Sequence, residues 1–232
     1  MVNSAGKLYI VSTPIGNLGD MTYRAVETLK SVSMIAAEDT RHSRKLLSHY
    51  EISKPLISYF EHNRFTRIPK IIDHLNNGKD LAVITDAGTP TISDPAYKLI
   101  REALLHDITV ESIPGASASL AALVSSGLPT DRFIFEGFLP PRKGRKARIN
   151  RIKDEPATII YYESPKRIKR TLKHLLEYVE IINDYRAYYL IGMIYWGRNE
   201  IMDALKNFWS CINTADNDID SCYHKHLAFN ML

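Results

Sequence analysis

The sequence predicts an α/β protein of two lobes, each a mostly parallel sheet flanked by helices, and three observations point to it. Short apolar runs alternate with segments whose apolar residues recur at helical spacing. Several of those runs end in clusters of Gly, Pro and small polar residues. The chain has 232 residues, enough at ~100–200 residues per domain for two lobes with cores of their own. A composition of 45% hydrophobic and 24% charged residues excludes a disordered, collagenous or coiled-coil chain.

Residues 7–12 (Lys-Leu-Tyr-Ile-Val-Ser) read as a short buried strand. Val26, Leu29 and Val32 lie at helical spacing within 22–32, and 34–37 is again short and apolar, so the grammar is strand, helix, strand. Asp39 or Thr40 can cap a helix to about Tyr50, and 56–58 reads as a strand. Ile68, Ile71, Ile72 and Leu75 share one helix face that Asn77-Gly78 stops. A strand at 81–85, a helix at about 95–105 and a strand at 109–113 complete a first lobe over 1–114.

The second lobe starts over 115–179. A helix of small residues is expected at 116–125, strands at 133–136 and 158–162, and a turn from Gly137 to Pro141. A basic helix follows from about Lys143, and Ser164-Pro165 places Pro at the first position of another. Residues 180–232 change texture: they hold both tryptophans, both cysteines and the Asn/Asp-rich run 213–220. A strand at 188–195 and a helix at 199–209 are expected there.

Charge is concentrated. Residues 139–173 hold twelve Lys and Arg against three Asp and Glu, a surplus of nine in a chain whose net charge is +4, which leaves the remainder at −5. That is the footprint of a polyanion partner, because each neutralised phosphate releases counterions; the alternative is a solvated helix face. Phosphate contacts are therefore assigned to Arg142, Lys143, Arg145 and Lys146. Cys211 and Cys222 are too few for a disulfide scaffold, and with His224 and His226 they match no usual zinc spacing, so no metal is expected. No run approaches the ~18–20 apolar residues of a membrane span, and no cleavable leader is evident, so the expected location is the cytoplasm.

The phosphate-loop pattern and the G-x-G-x-x-G pattern after the first strand are both missing. In their place, three loops at carboxyl ends of strands are rich in Gly, Pro and short polar residues: 12–18, 85–95 and 114–119. That edge is where open α/β sheets bind ligands, with bare backbone groups turned to the ligand.

Pro14-Ile-Gly-Asn-Leu18, Ala37-Glu-Asp-Thr-Arg41, Thr85-Asp-Ala-Gly-Thr-Pro90, Ser93-Asp-Pro95, Pro114-Gly-Ala116, Gly127-Leu-Pro129, Phe135-Glu-Gly-Phe-Leu-Pro140 and Tyr162-Glu-Ser-Pro165 stand in order along the chain. In these motifs the sequence resembles the ribosomal RNA small subunit methyltransferase I family of the tetrapyrrole methylase superfamily, over about residues 7–179. The resemblance implies a two-lobed tetrapyrrole-methylase-like fold with S-adenosylmethionine between the lobes. It also implies 2′-O-methylation of a cytidine in the decoding region of small-subunit rRNA, by a homodimer. Matched motifs assign the cofactor to Pro14, Asp86, Gly88, Thr89, Ile92, Ser117, Ala118 and Tyr162, Asp86 having the less clear role of bracing its turn.

Methyl transfer to a ribose hydroxyl calls for in-line positioning and for a base or polarising cation beside a poor nucleophile. Glu38, Asp39 and Arg41, at the ligand edge after the second strand, are the best available group; the competing reading of Asp39 is a helix cap. After Val179 the family continues with a strand carrying Ala-Arg-Glu-Leu-Thr-Lys and a later Gly-Glu strand, and neither stands here. Residues 180–232 read as a changed frame or a strongly diverged tail. Two other readings follow: methylation of a small molecule or protein, and an RNA-binding product left inactive by the tail.

Overall fold

The computed structural model describes residues 5–93, 96–152 and 155–182, together with 206, 209 and 210. Five strands form one sheet: β1 (Leu8–Val11), β2 (Met34–Ala37), β3 (Leu56–Ser58), β4 (Leu81–Ile84) and β5 (Val110–Ile113). Their spatial order is β3-β2-β4-β1-β5 and every pairing is parallel. Helices α1 (Tyr23–Ser31), α2 (Thr40–His49), α3 (Arg64–Asn76) and α4 (Ala96–Leu105) supply the connections.

The two-residue period of a strand sorts the core into two layers. Leu81 and Val83 of β4 face Ile71, Leu75 and Leu99 of α3 and α4. Ala82 and Ile84 face Ala25, Leu29 and Leu47 of α1 and α2. All four β4 residues are buried, as the unbroken run Leu-Ala-Val-Ile requires of a strand covered on both faces. Helices α1 and α2 begin where side chains satisfy their first N–H groups: Thr22 accepts from the Ala25 N–H at 3.1 Å, and Asp39 caps α2.

Helix α5 (Ala118–Ser125) follows β5, and beyond it strands β6 (Phe133–Phe138) and β7 (Thr158–Tyr162) form a two-stranded sheet. Helices α6 (Arg145–Ile152) and α7 (Ile168–Ile182) flank β7 in sequence. The chain divides into two compact units, the first running to Phe135 and including Ala157–Ile160, the second holding Glu136–Pro156 and the chain from Tyr161 onward.

Local boundaries differ from the sequence reading for identifiable reasons. Helix α5 starts at Ala118 because Ser117 acts as its cap. Strand β6 runs through Gly137, whose φ of +63° only glycine adopts freely, so the expected turn starts after Phe138. The Ser164 carbonyl accepts the N–H groups of Arg167 and Ile168, which makes a turn of 165–167 and delays α7 to Ile168. The strand expected at 188–195 lies outside the described residues; of the helix expected at 199–209, only 206 and 209 are described, and both are helical.

Leu81 is fully buried at the middle of the sheet, registered with Leu8 on one side and Met34 on the other. Leu81→Ala is expected to cost about 2–5 kcal/mol of a total of about 5–15. Urea unfolding monitored by circular dichroism checks this: the midpoint falls with an unchanged slope, and a loss below about 1 kcal/mol would contradict the assigned core.

Candidate functional site

The strand order creates a break in the winding. From β1 the chain crosses β4 to reach β2, whereas from β4 it crosses β1 to reach β5, so the loops leaving these adjacent strands diverge in opposite directions. In open α/β sheets such a point, at the carboxyl ends, opens a ligand crevice. The loops after β1, β4 and β5, singled out in the sequence, all converge there.

Thr13 and Gly88 exchange both backbone hydrogen bonds, at 2.9 and 3.0 Å, in an isolated antiparallel bridge. The Thr13 hydroxyl donates to the carbonyls of Thr85 and Gly88, at 3.1 and 3.3 Å, and the Ser12 and Thr89 hydroxyls are 2.9 Å apart. The third loop closes on the first through bare backbone, for a Cβ added at Gly115 would stand 2.8 Å from the Ser12 Cβ. Gly88 is required for its φ of +81° rather than for space, since a Cβ there would meet only ordinary contacts. Thr91 and Ser93 also adopt positive φ, at 83° and 75°. Strain of this kind in non-glycine residues persists only where the surroundings hold it, and it gathers at ligand-binding loops.

Beside this knot lies an acidic edge. Glu38 accepts from the Thr85 hydroxyl at 3.0 Å, and Asp86 accepts the Asp39 N–H at 3.3 Å. The Asp39 carboxylate accepts the N–H groups of Arg41 and His42, at 2.7 and 3.4 Å. Those two backbone donors hold its carboxyl below the ordinary carboxylate range. Asp39 is thus occupied as the cap of α2. Asp86 thereby ties the loop after β4 to the strand-to-helix junction after β2.

Of the other predicted residues, Pro14 is buried within the first loop, Thr89 is half-buried and Ile92 is 46% exposed. Ser117 caps α5 and sits 3.1 Å from the Ser119 hydroxyl, with Ala118 exposed beside it. Tyr162, in the second unit, stacks edge-on against Phe138 at 5.7 Å between ring centroids. Arg142, Lys143 and Lys146 are exposed, whereas Arg145 is buried against Glu163. Sequence reasoning left out Ser12, Thr13 and Gly115. Their signal was legible in part: hydroxyl residues directly after a buried apolar run have to find partners. Among the described residues no cluster of His, Cys, Asp or Glu is arranged to hold a metal, and Cys211, Cys222, His224 and His226 lie outside them. No helix among them is long and apolar enough to cross a membrane.

A parallel sheet with joined loops at its winding break defines an open α/β fold of the kind that binds ligands at that edge. Residues 7–192 match the model of the tetrapyrrole (corrin/porphyrin) methylases. The chain is 51% identical over 172 residues to ribosomal RNA small subunit methyltransferase I of Halalkalibacterium halodurans, covering 74% of this chain and 60% of that protein. It is 53% identical to the protein of that name from Synechocystis, covering 73% and 61%, and 48% identical to that of Thermotoga maritima, covering 75% and 78%. Diphthine synthase superposes with a TM-score of 0.58 at 14% identity, over 76% of this chain and 73% of that one. A cobalt precorrin-4 methyltransferase gives 0.57 at 15%, over 74% of each. The chain belongs to the tetrapyrrole methylase family and falls within it among the proteins named ribosomal RNA small subunit methyltransferase I. It spans about three fifths of the length of the first two of those relatives, 60% and 61%.

Two outcomes test this geometry. Gly115→Ala should push the third loop off Ser12 at a cost of about 1–3 kcal/mol, read from the thermal midpoint; an unchanged midpoint would show that the two loops can part freely. Because the Asp39 carboxyl is lowered in the folded state, the stability it adds is present above its unfolded value and is lost as pH falls through the folded one. Asp39→Ala should therefore lower the thermal midpoint at pH 7, and the gap from wild type should narrow on acidification. A gap independent of pH would remove the charge from the cap.

Proposed function

We propose that the chain is an S-adenosylmethionine-dependent methyltransferase that modifies the 2′-hydroxyl of a cytidine in the decoding region of small-subunit ribosomal RNA, working as a homodimer in the cytoplasm. The observation that carries the reading is the knot of three loops at the break between β1 and β4. Family membership and the names of the relatives support the methyl transfer and the ribosomal RNA substrate.

The residues present fit the cofactor. Gly115 lets the third loop close on Ser12 through bare backbone, and the half-buried hydroxyl of Thr89 and the exposed Ile92 offer a polar and an apolar surface on the second loop. Pro14, Gly88, Thr89, Ile92, Ser117 and Ala118 would hold it. When bound, the sulfonium supplies an electrophilic methyl group. The chain's own task is then positioning: the Thr13–Gly88 bridge fixes the loop backbones before any ligand arrives, so little ordering is left for the binding step. Glu38, hydrogen-bonded to Thr85, is the acid best placed to accept a hydroxyl proton, since Asp39 is held at low basicity by the helix it caps. Arg41, exposed on the first turn of α2, supplies positive charge beside them.

Incubating the purified chain with methyl-labelled S-adenosylmethionine and small ribosomal subunits lacking the modification tests the reading. Label in the ribose of one rRNA cytidine is the expected result, and Glu38→Gln should reduce the rate by about 10²–10⁴-fold with cofactor affinity retained. Calorimetric binding of the cofactor with no transfer to any subunit would favour a small-molecule or protein substrate. No cofactor binding at all would favour an inactive RNA-binding chain.

A further inference from the structure

The basic segment of the second unit is not a uniform face. A cavity of about 430 Å³ opens among Pro141, Arg142, Arg145, Lys146, Ile149, Arg170 and His174. Four of these are Arg or Lys, and no acid lines the cavity among the described residues. Lys143, inside the same basic run, takes no part in it.

Arg145 is the residue that makes the cavity unusual. It is 3% exposed, and only its Nη1 finds an acceptor, the Pro140 carbonyl at 3.3 Å. Its Nε and Nη2 are buried without a hydrogen-bond partner. Among the described residues Glu163 pairs with it, 3.9 Å from Nη2, and the Glu163 oxygens are already engaged. One accepts the Ser164 N–H at 2.8 Å and pairs with Arg167 at 2.7 Å; the other accepts the Thr171 hydroxyl at 2.6 Å. One carboxylate thus serves two guanidinium groups, and the surplus positive charge is left beneath the cavity. Burial of a charge with so little compensation is costly, and it pushes the Arg145 guanidinium down from its ordinary value. Arg170 is pinned at the rim, donating to the Pro141 carbonyl at 3.1 Å.

We propose that this cavity is a single-phosphate site that takes one backbone phosphodiester of an RNA strand, with Arg142, Lys146 and Arg170 as contacts and Arg145 as the buried charge beneath it. The proposal rests on the reading of the substrate as RNA. The volume lies within the ~300–1,000 Å³ of ordinary ligand sites, which is more than a bare phosphate needs and leaves room for the adjoining sugar. A solvated basic face would spread its cations evenly; here three helix and loop segments, 141–142, 145–149 and 170–174, converge on one hollow. The surplus of nine charges over 139–173 extends well beyond that hollow, which suits a polyanion running past it better than an isolated anion.

The test uses the full chain and a fluorescein-labelled 12-nucleotide single-stranded RNA, titrated over a range of salt. The variant Lys146→Gln with Arg170→Gln removes two cavity contacts at exposed positions. The control Lys143→Gln with Lys173→Gln removes the same charge from exposed residues that do not line the cavity. The expected result is about a tenfold loss of affinity for the first pair, with the slope of log affinity against log salt falling by roughly 0.7, and a clearly smaller change for the control. Arg145→Lys, which keeps the charge and loses the planar fork, should weaken RNA with the circular dichroism spectrum retained. Equal losses from the two pairs, or an unchanged slope, would overturn the proposal in favour of a diffuse basic face. Inorganic phosphate that binds at sub-millimolar concentration and is lost in Lys146→Gln with Arg170→Gln, while RNA affinity is unmoved, would overturn it in favour of a small phosphorylated ligand. Calorimetry with S-adenosylmethionine on the same variants separates this proposal from the methyl-transfer reading. RNA weakening in a chain that binds no cofactor retains the cavity and removes the enzyme.

Discussion

The candidate site of the first unit depends on one two-way backbone exchange, between Thr13 and Gly88. Strands β1 and β4 are neighbours in the sheet, yet their loops leave in opposite directions, and nothing in a parallel ladder holds such loops together beyond the last strand residue. The bridge does so, and the Thr13 hydroxyl reinforces it by donating to Thr85 and Gly88. Gly88 can close that bridge because its φ of +81° is open to glycine. Once the first two loops are joined, Ser12 becomes a fixed surface on which Gly115 rests, and the third loop follows.

Carboxylates near the strand ends are used in contrasting ways. Asp39 spends its charge on two backbone donors and is stabilised as the anion, which suits a cap and not a base. Glu38, one residue earlier, meets a hydroxyl from the neighbouring strand end. In the second unit Glu163 is oversubscribed: burial pushes its carboxyl up, and donors from Thr171, Ser164 and Arg167 outweigh that and hold it below its ordinary value. Having satisfied Arg167, it leaves Arg145 undercompensated. Neighbouring motif residues with similar chemistry therefore differ in what they can do.

Much of this was legible in the residues. The alternation of apolar runs and helical faces reported the α/β layers, because burial on both faces leaves a parallel strand no polar alternation. The Gly/Pro-rich loops reported the ligand edge, because only certain residues turn tightly there. What could not be read was which loops touch. Ser12 and Thr13 resemble ordinary strand-end residues until Thr89 and Gly88 are brought across from another strand, 77 and 75 positions away in sequence. Likewise Arg145 looked equivalent to Arg142, Lys143 and Lys146.

By itself the sequence determined the elements, the class of fold, the family motifs and the concentration of positive charge, since these follow from local periodicity, turn chemistry and composition. Tertiary structure alone decided the order β3-β2-β4-β1-β5, the winding break between β1 and β4, and the burial of one arginine among exposed neighbours. The physical reason is range. Propensity and patterning act over a few residues, whereas strand neighbours and the compensation of a buried charge depend on groups that the chain brings together only when it folds.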